Sequence, residues 1–305
     1  MKPVYLSSFC VRFEDYDLLE SLCRGVSPYV AGVELGTSWD KLPDFNERLD
    51  RQIPRFQQYP VTIHAPFVEI SGAPDSEERR IMDAAFDRAF RWYHEFHATS
   101  MVMHTHEKAV DPAHAEAMRE NARLAILSVA ERAAREGVHL TVENVGYPGR
   151  HNVLFDQEQW IALFDQLPDE AALDKATSEV SVYAREEVGA LLDTGHALAN
   201  GWDLFEVVRR LGTRLRGYHL HNSVYGKDLH RPMFEPGLAY TPEQMDALLG
   251  CISENSPDAD LILEYVSGPH VNVEQLRSDL ARMDRALAQT EKDTPPACPE
   301  RKQDG

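Results

Sequence analysis

The sequence has no Cys-x-x-Cys pair: its four cysteines, Cys10, Cys23, Cys251 and Cys298, stand far apart. That spacing argues against a thiolate metal knuckle or a disulfide framework and suits free thiols in a reducing, cytoplasmic setting. Positive charge is scarce. Lysine and arginine total 31 against 50 aspartates and glutamates, a net charge of -19. Proteins grip duplex nucleic acid largely through phosphate neutralisation, so this balance argues against such a partner. No run approaches the roughly 18 apolar residues of a membrane span, and MKPVYLSSFCVRFED has no long apolar stretch ahead of Arg12, so no membrane partner is expected. No Gly-x-Gly-x-x-Gly follows the first strand-like run, which counts against a dinucleotide-binding open sheet.

What is present is an alternation. Of the 305 residues 43% are hydrophobic, and the apolar ones gather in eight short runs, at 4–9, 31–37, 60–67, 100–106, 138–146, 188–196, 215–223 and 259–267. These runs are dense in Val, Ile and Leu rather than alternating, as strands buried on both faces should be. Helical patterns separate most of them: 15–25, a helix after Pro43, 75–97, one opened by Asp111-Pro112 and stopped at Gly137, 157–186 broken at Pro168, 202–211, one opened by Thr241-Pro242, and 273–288. Eight strand–helix repeats predict an α/β fold, a single (β/α)8 TIM barrel over 1–288, with a polar, disordered tail at 289–305. Length does not force a second domain, since one such barrel takes about 250 residues.

Residues able to bind metal end most of the later runs: His64, then His104 and His106, then Glu143, then Asp193 and His196, then His219 and His221, with Asp228 and His230 in the following loop, and lastly Glu264. One histidine at a strand end is commonly structural. Glu143 in LTVEN and Glu264 in LILEY are harder to dismiss, because a carboxylate inside an apolar run is a buried charge that needs a partner or a metal. Barrel strands deliver such residues to one C-terminal mouth. Hard carboxylates mixed with imidazoles suit Zn²⁺, Mn²⁺ or a similar ion. In Asp193-Thr-Gly-His196 the glycine is expected to let the chain turn sharply past the strand. His219 and His221, two apart, should face the same side.

The stretches IHAPF (63–67), MHTH (103–106), VEN (142–144), LDTGH (192–196), YHLHNS (218–223), KDLH (227–230) and LEY (263–265) resemble the xylose-isomerase-like TIM-barrel superfamily. That superfamily also contains endonuclease IV and many sugar isomerases and epimerases. The resemblance implies one of two sites. In the isomerases and epimerases, positions matching Glu143, Asp193, His219 and Glu264 hold one divalent metal, and the two glutamates move protons beside a carbonyl. In endonuclease IV, positions matching His64, His104, Glu143, Asp193, His196, His219, Asp228, His230 and Glu264 hold three zinc ions that hydrolyse phosphodiesters. All nine residue types are present. Two motifs depart from the family: His221-Asn222-Ser223 replaces a His-Asp-Asn type sequence, and Phe234-Glu235-Pro236-Gly237 replaces Gly-Glu-Gly.

The leading expectation is a metal-dependent hydrolase of a small phosphoester or phosphodiester, similar to cobamide nucleotide-loop phosphodiesterases. It would carry one to three ions, zinc first, with Mn, Mg or Co as alternatives. The second is a sugar or sugar-phosphate isomerase or epimerase. Glu143 and Glu264 are the expected catalytic pair in either. A small anionic or polyol substrate is expected to meet His106, His221, Lys227, Arg231 and Trp202. His94, His97, His114, His139, His151 and His270 fall outside the strand-end pattern and are expected at the surface or in packing; Trp39, Trp160 and Trp202 are expected to pack in the core or at the mouth.

Overall fold

The computed structural model describes residues 4–12, 14–37, 44–166 and 188–289. Its strands, in chain order, are β1 (Val4–Ser7), β2 (Gly32–Gly36), β3 (Val61–His64), β4 (Ser100–His104), β5 (Leu140–Glu143), β6 (Val188–Asp193), β7 (Leu215–Leu220), β8 (Asn222–Val224), β9 (Lys227–Arg231) and β10 (Asp260–Leu263). Eight of them close into a parallel barrel in the order β1-β10-β7-β6-β5-β4-β3-β2, while β8 and β9 form a separate antiparallel hairpin. Each of the eight expected runs contains one barrel strand. Nearly every residue in them is buried, the reading that unalternating apolar runs predict. The barrel's middle is filled by Tyr5, Val102, Leu191 and Ile262, and a larger apolar cluster lies between barrel and helices. Polar residues near the strand ends are therefore lifted above a packed floor.

Some local expectations change. Asp111 shapes a turn, accepting from the Ala113 and His114 amides, and the helix starts only at Ala115. It stops at Gly137, whose φ of 67° is left-handed. Thr241 caps the helix Pro242–Asn255 in a full capping box with Gln244. β6 runs straight into a short helix, Thr194–Ala199, and the loop after β7 contains the β8–β9 hairpin; neither element was expected. Pro168, Trp39 and the tail from 290 onward lie outside the described residues. Among the described residues no helix is long and apolar enough to cross a membrane.

One buried chain of bonds ties the last helix to the mouth. Tyr265 accepts from the Met233 amide beyond the hairpin (3.2 Å) and donates to Asp279 (2.9 Å), which also accepts from Gln275 (2.9 Å). Burial pushes the Asp279 carboxyl up to about 6, against the pull of those two donors. The unfolded value is about 3.9, so the folded state holds the proton longer and stability falls as pH rises through that interval. Asp279→Asn should match the wild type near pH 4 and exceed it by on the order of 2 kcal/mol at pH 7. Paired urea titrations from pH 4 to 7 check this; a difference that does not change with pH would contradict it.

Candidate metal centre

Side chains stitch the rim of the barrel where the strand ladders end. The Gly36 amide donates to Ser8 Oγ (2.8 Å), and Thr37 donates to the His64 carbonyl (2.8 Å). Asn144 spans β5 and β6: its amide nitrogen donates to the Asp193 carbonyl (3.0 Å) and its oxygen accepts from the Asp193 amide (2.8 Å). Thr194 joins β6 to β7, donating to the His221 carbonyl (2.7 Å) and accepting from the His221 amide (3.1 Å). Gly195 faces the His221 ring so closely that a Cβ would sit 2.0 Å from Cε1. The glycine expected to serve a sharp turn instead serves a close approach, inside a helix that Asp193 caps through the His196 amide (2.6 Å).

Three groups of ligand atoms converge above the barrel floor. His64 Nε2, His104 Nε2 and Glu143 Oε2 lie 3.2, 3.3 and 3.4 Å apart. Those separations match the edge of a tetrahedron, about 3.3–3.4 Å for bonds of 2.0–2.1 Å to zinc. His219 Nδ1 lies 3.3 Å from Glu143 Oε1, 3.4 Å from Glu264 Oε2 and 3.8 Å from Asp193 Oδ2. Asp228 Oδ2 lies 3.3 Å from His196 Nε2, and Asp228 Oδ1 lies 3.1 Å from His230 Nε2. Glu143 thus faces two groups, one with each oxygen. Glu143 Oε2, His219 Nδ1 and Asp228 Oδ1 are buried and make no hydrogen bond within the described residues. Such orphans are rare and call for a missing partner.

The ring nitrogens facing away are all engaged. His64 Nδ1 meets the Ala65 carbonyl (2.9 Å), His104 Nδ1 the Glu107 carboxylate (2.5 Å), His196 Nδ1 the Asn144 carbonyl (3.1 Å) and His230 Nδ1 the Glu264 carbonyl (3.0 Å). His219 uses Nε2, on Glu34 (3.0 Å). An acceptor there fixes the tautomer of the neutral ring, so each ring turns a lone pair toward its group once its second proton leaves, the outer-sphere arrangement metal sites use. His230 sits at φ 44°, a left-handed backbone that only a constrained loop maintains in a residue other than glycine. The residues present therefore fit a divalent metal.

This geometry sits on a sequence that matches the family model described as xylose isomerase-like TIM barrel over residues 30–285. The chain belongs to the xylose isomerase-like TIM-barrel family. It resembles a D-tagatose 3-epimerase-like protein at 16% identity, covering 96% of this chain and 97% of that one, with a TM-score of 0.66. A structure of the IOLI protein with a binding zinc atom compares at 16% identity, coverages of 95% and 98%, and TM-score 0.66. An AP endonuclease family 2 protein from Brucella melitensis compares at 13% identity, coverages of 93% and 99%, and TM-score 0.62. At these identities the likeness shows the shared fold alone. No curated protein matches the sequence.

In this member of the family, buried carboxylates and imidazoles hold one another charged. Burial opposes the charge of His104, but Glu143 and Glu107 raise it to about 10. His230 rises to about 9 in the same way, through Asp228 and Glu264 against burial. His196 and His219 are also raised, while Glu143 and Asp228 are held well below the usual carboxylate range by their imidazole neighbours, again against burial. Glu264 differs: burial pushes it up to about 7 despite His219 and His230. Without a cation these protons occupy the space between the ligand atoms, so metal uptake must expel them.

The structure brings all nine expected ligands together and adds His221, whose Nε2 meets Asp193 (2.8 Å) and whose ring stacks on His230 at 3.9 Å. None of the five expected substrate contacts, His106, His221, Lys227, Arg231 and Trp202, lines the mouth cavity. His106 is fully buried on the Asn152 carbonyl, two residues past a strand that has already ended. Lys227 is exposed at the start of β9. Arg231 is held by both oxygens of Glu235, at 2.9 Å each. Trp202 packs in the core against Trp160, 5.7 Å between ring centroids. Sequence reasoning missed Glu34, fully buried in AGVELGT, although it carries the same signal as Glu143, a carboxylate inside an apolar run. It also missed Phe9, Phe67, Glu107 and Arg150, which line the mouth cavity of about 250 Å³. Glu34→Gln keeps an acceptor for His219 but removes its charge. It should weaken metal binding about 10–100-fold. Competition titration with a chromogenic chelator measures this; unchanged affinity would show that Glu34 does not tune the site.

Proposed function

We propose that this chain is a multinuclear divalent-metal hydrolase of a small phosphate ester or diester, with zinc as the metal. One observation carries the reading: Glu143 turns one oxygen to His64 and His104 and the other to His219. A carboxylate so divided could serve two metal ions, and His196, Asp228 and His230 would hold a third. Divalent ions held there would supply Lewis-acid activation of water and neutralise charge developing on a phosphoryl group. The chain's own part is to hold the set rigidly. Asn144 and Thr194 fix the strand ends that carry Glu143, Asp193 and His219. Phe67 lies 4.5 Å from His64 and Phe9 lies 4.7 Å from His230, ring to ring, screening both imidazoles from solvent.

A second reading, a one-metal sugar isomerase or epimerase, draws on the group Glu143, Asp193 and His219 with Glu264 close by. The solved structures favour it more than the first, because several carry sugar epimerase names. That reading leaves His64, His104, Asp228 and His230 without a metal to hold. Metal-replete protein assayed on bis-p-nitrophenyl phosphate and on a panel of ketoses separates the two. We expect phosphodiester hydrolysis, reduced at least about 100-fold in His230→Ala, in line with loss of one metal's charge stabilisation. Ketose epimerisation without hydrolysis, retained in His230→Ala, would establish the second reading instead.

A further inference from the structure

Arg150 is the only lysine or arginine among the described residues lining the mouth cavity. It is exposed, and among the described residues its guanidinium has no carboxylate or carbonyl partner. Of the other cations near the mouth, Arg231 pairs with Glu235 and Lys108 with Glu78. Arg150 ends a one-turn 3-10 helix, Pro148–Arg150, followed by His151 at φ 55°.

That turn is braced from every side. Its base is Gly146 at φ 89°, where a Cβ would lie 2.0 Å from the Asn152 carbonyl. Asn152 accepts from the Tyr147 amide (2.9 Å) and, through its own carbonyl, from the buried His106. Asn200 donates to the Gly146 carbonyl (2.6 Å). Val110 donates to the His151 carbonyl (2.8 Å). Gly149 lies against the hairpin turn, where a Cβ would come 2.5 Å from the Gly226 carbonyl. A loop free to move would need none of this. The bracing costs the buried His106 its freedom and requires glycine at two positions, and the side chain it presents to the cavity is an unpaired guanidinium.

From this placement we infer that Arg150 is the specificity-determining residue for the anionic group of the substrate, a phosphoryl group. The inference rests on the phosphoester reading. Guanidinium presents two parallel N–H donors to phosphate oxygens, whereas a polyol offers no matching charge. His106 becomes a positioning residue, acting through Asn152.

Inorganic phosphate is the probe. Its binding to metal-replete protein is measured by calorimetry for wild type, Arg150→Gln, Arg150→Lys and Arg231→Gln, with metal content determined on each sample. Arg150→Gln should weaken phosphate binding at least about tenfold, Arg150→Lys less, and Arg231→Gln not at all, with metal content unchanged throughout. Equal phosphate affinity in wild type and Arg150→Gln would overturn the assignment of Arg150 while leaving the phosphoester reading intact. Loss of metal from Arg150→Gln would overturn it too, since the residue would then act on the ligand cluster. Absence of phosphate binding by the wild type would overturn both.

Discussion

The mouth of this barrel depends on the two oxygens of Glu143. The residue is 1% exposed and ends the fully buried strand Leu140-Thr141-Val142-Glu143. An isolated carboxylate cannot stay charged at such a depth. It stays charged, against burial, because His219, His104 and His196 stand 3.3–3.4 Å from one or other oxygen. Those rings are held in turn by acceptors behind them, so the arrangement extends outward from Glu143 through two layers of residues. Removing any member leaves a buried charge uncompensated, which explains why the rim is cross-linked by Asn144, Thr194, Thr37 and Ser8 rather than left to loops.

The fold and the site solve one problem between them. A parallel strand buried on both faces has no room for polar side chains except at its end, and eight ends meet at one rim. Tyr5, Val102, Leu191 and Ile262 close the floor beneath, so the polar groups above face only one another and the cavity. The hairpin β8–β9 then folds Asp228 and His230 over the top. Val266 fastens it by donating to the His230 carbonyl (2.9 Å), and Tyr265 holds the segment beyond it.

Much of this was legible in the sequence. The strands announced themselves as unalternating apolar runs, and Glu143 and Glu264 as carboxylates inside them. Gly137 and Thr241-Pro242 marked helix ends by local chemistry alone. Less could be read where position depends on contacts remote in the chain. Glu34 carries the Glu143 signal, but its run ends in Gly-Thr with no imidazole nearby to draw attention. Arg231 reads as a free cation until the loop folds Glu235 back onto it. Gly195 reads as a turn until His221 arrives from another strand. Arg150 lies in a Pro-Gly segment whose direction is set by Asn152, Asn200 and the hairpin, none of which periodicity can reveal.

On the reading proposed here, Glu143 would be shared by two metal ions and the hairpin would complete a third position. Diffraction from crystals of metal-replete protein, recorded on both sides of the zinc absorption edge, decides it. Separate anomalous peaks are expected beside His64 and His104, beside His219, and between His196, Asp228 and His230, with Glu143 shared by the first two. A single peak held only by Glu143, Asp193, His219 and Glu264, with the remaining histidines bare, would contradict it.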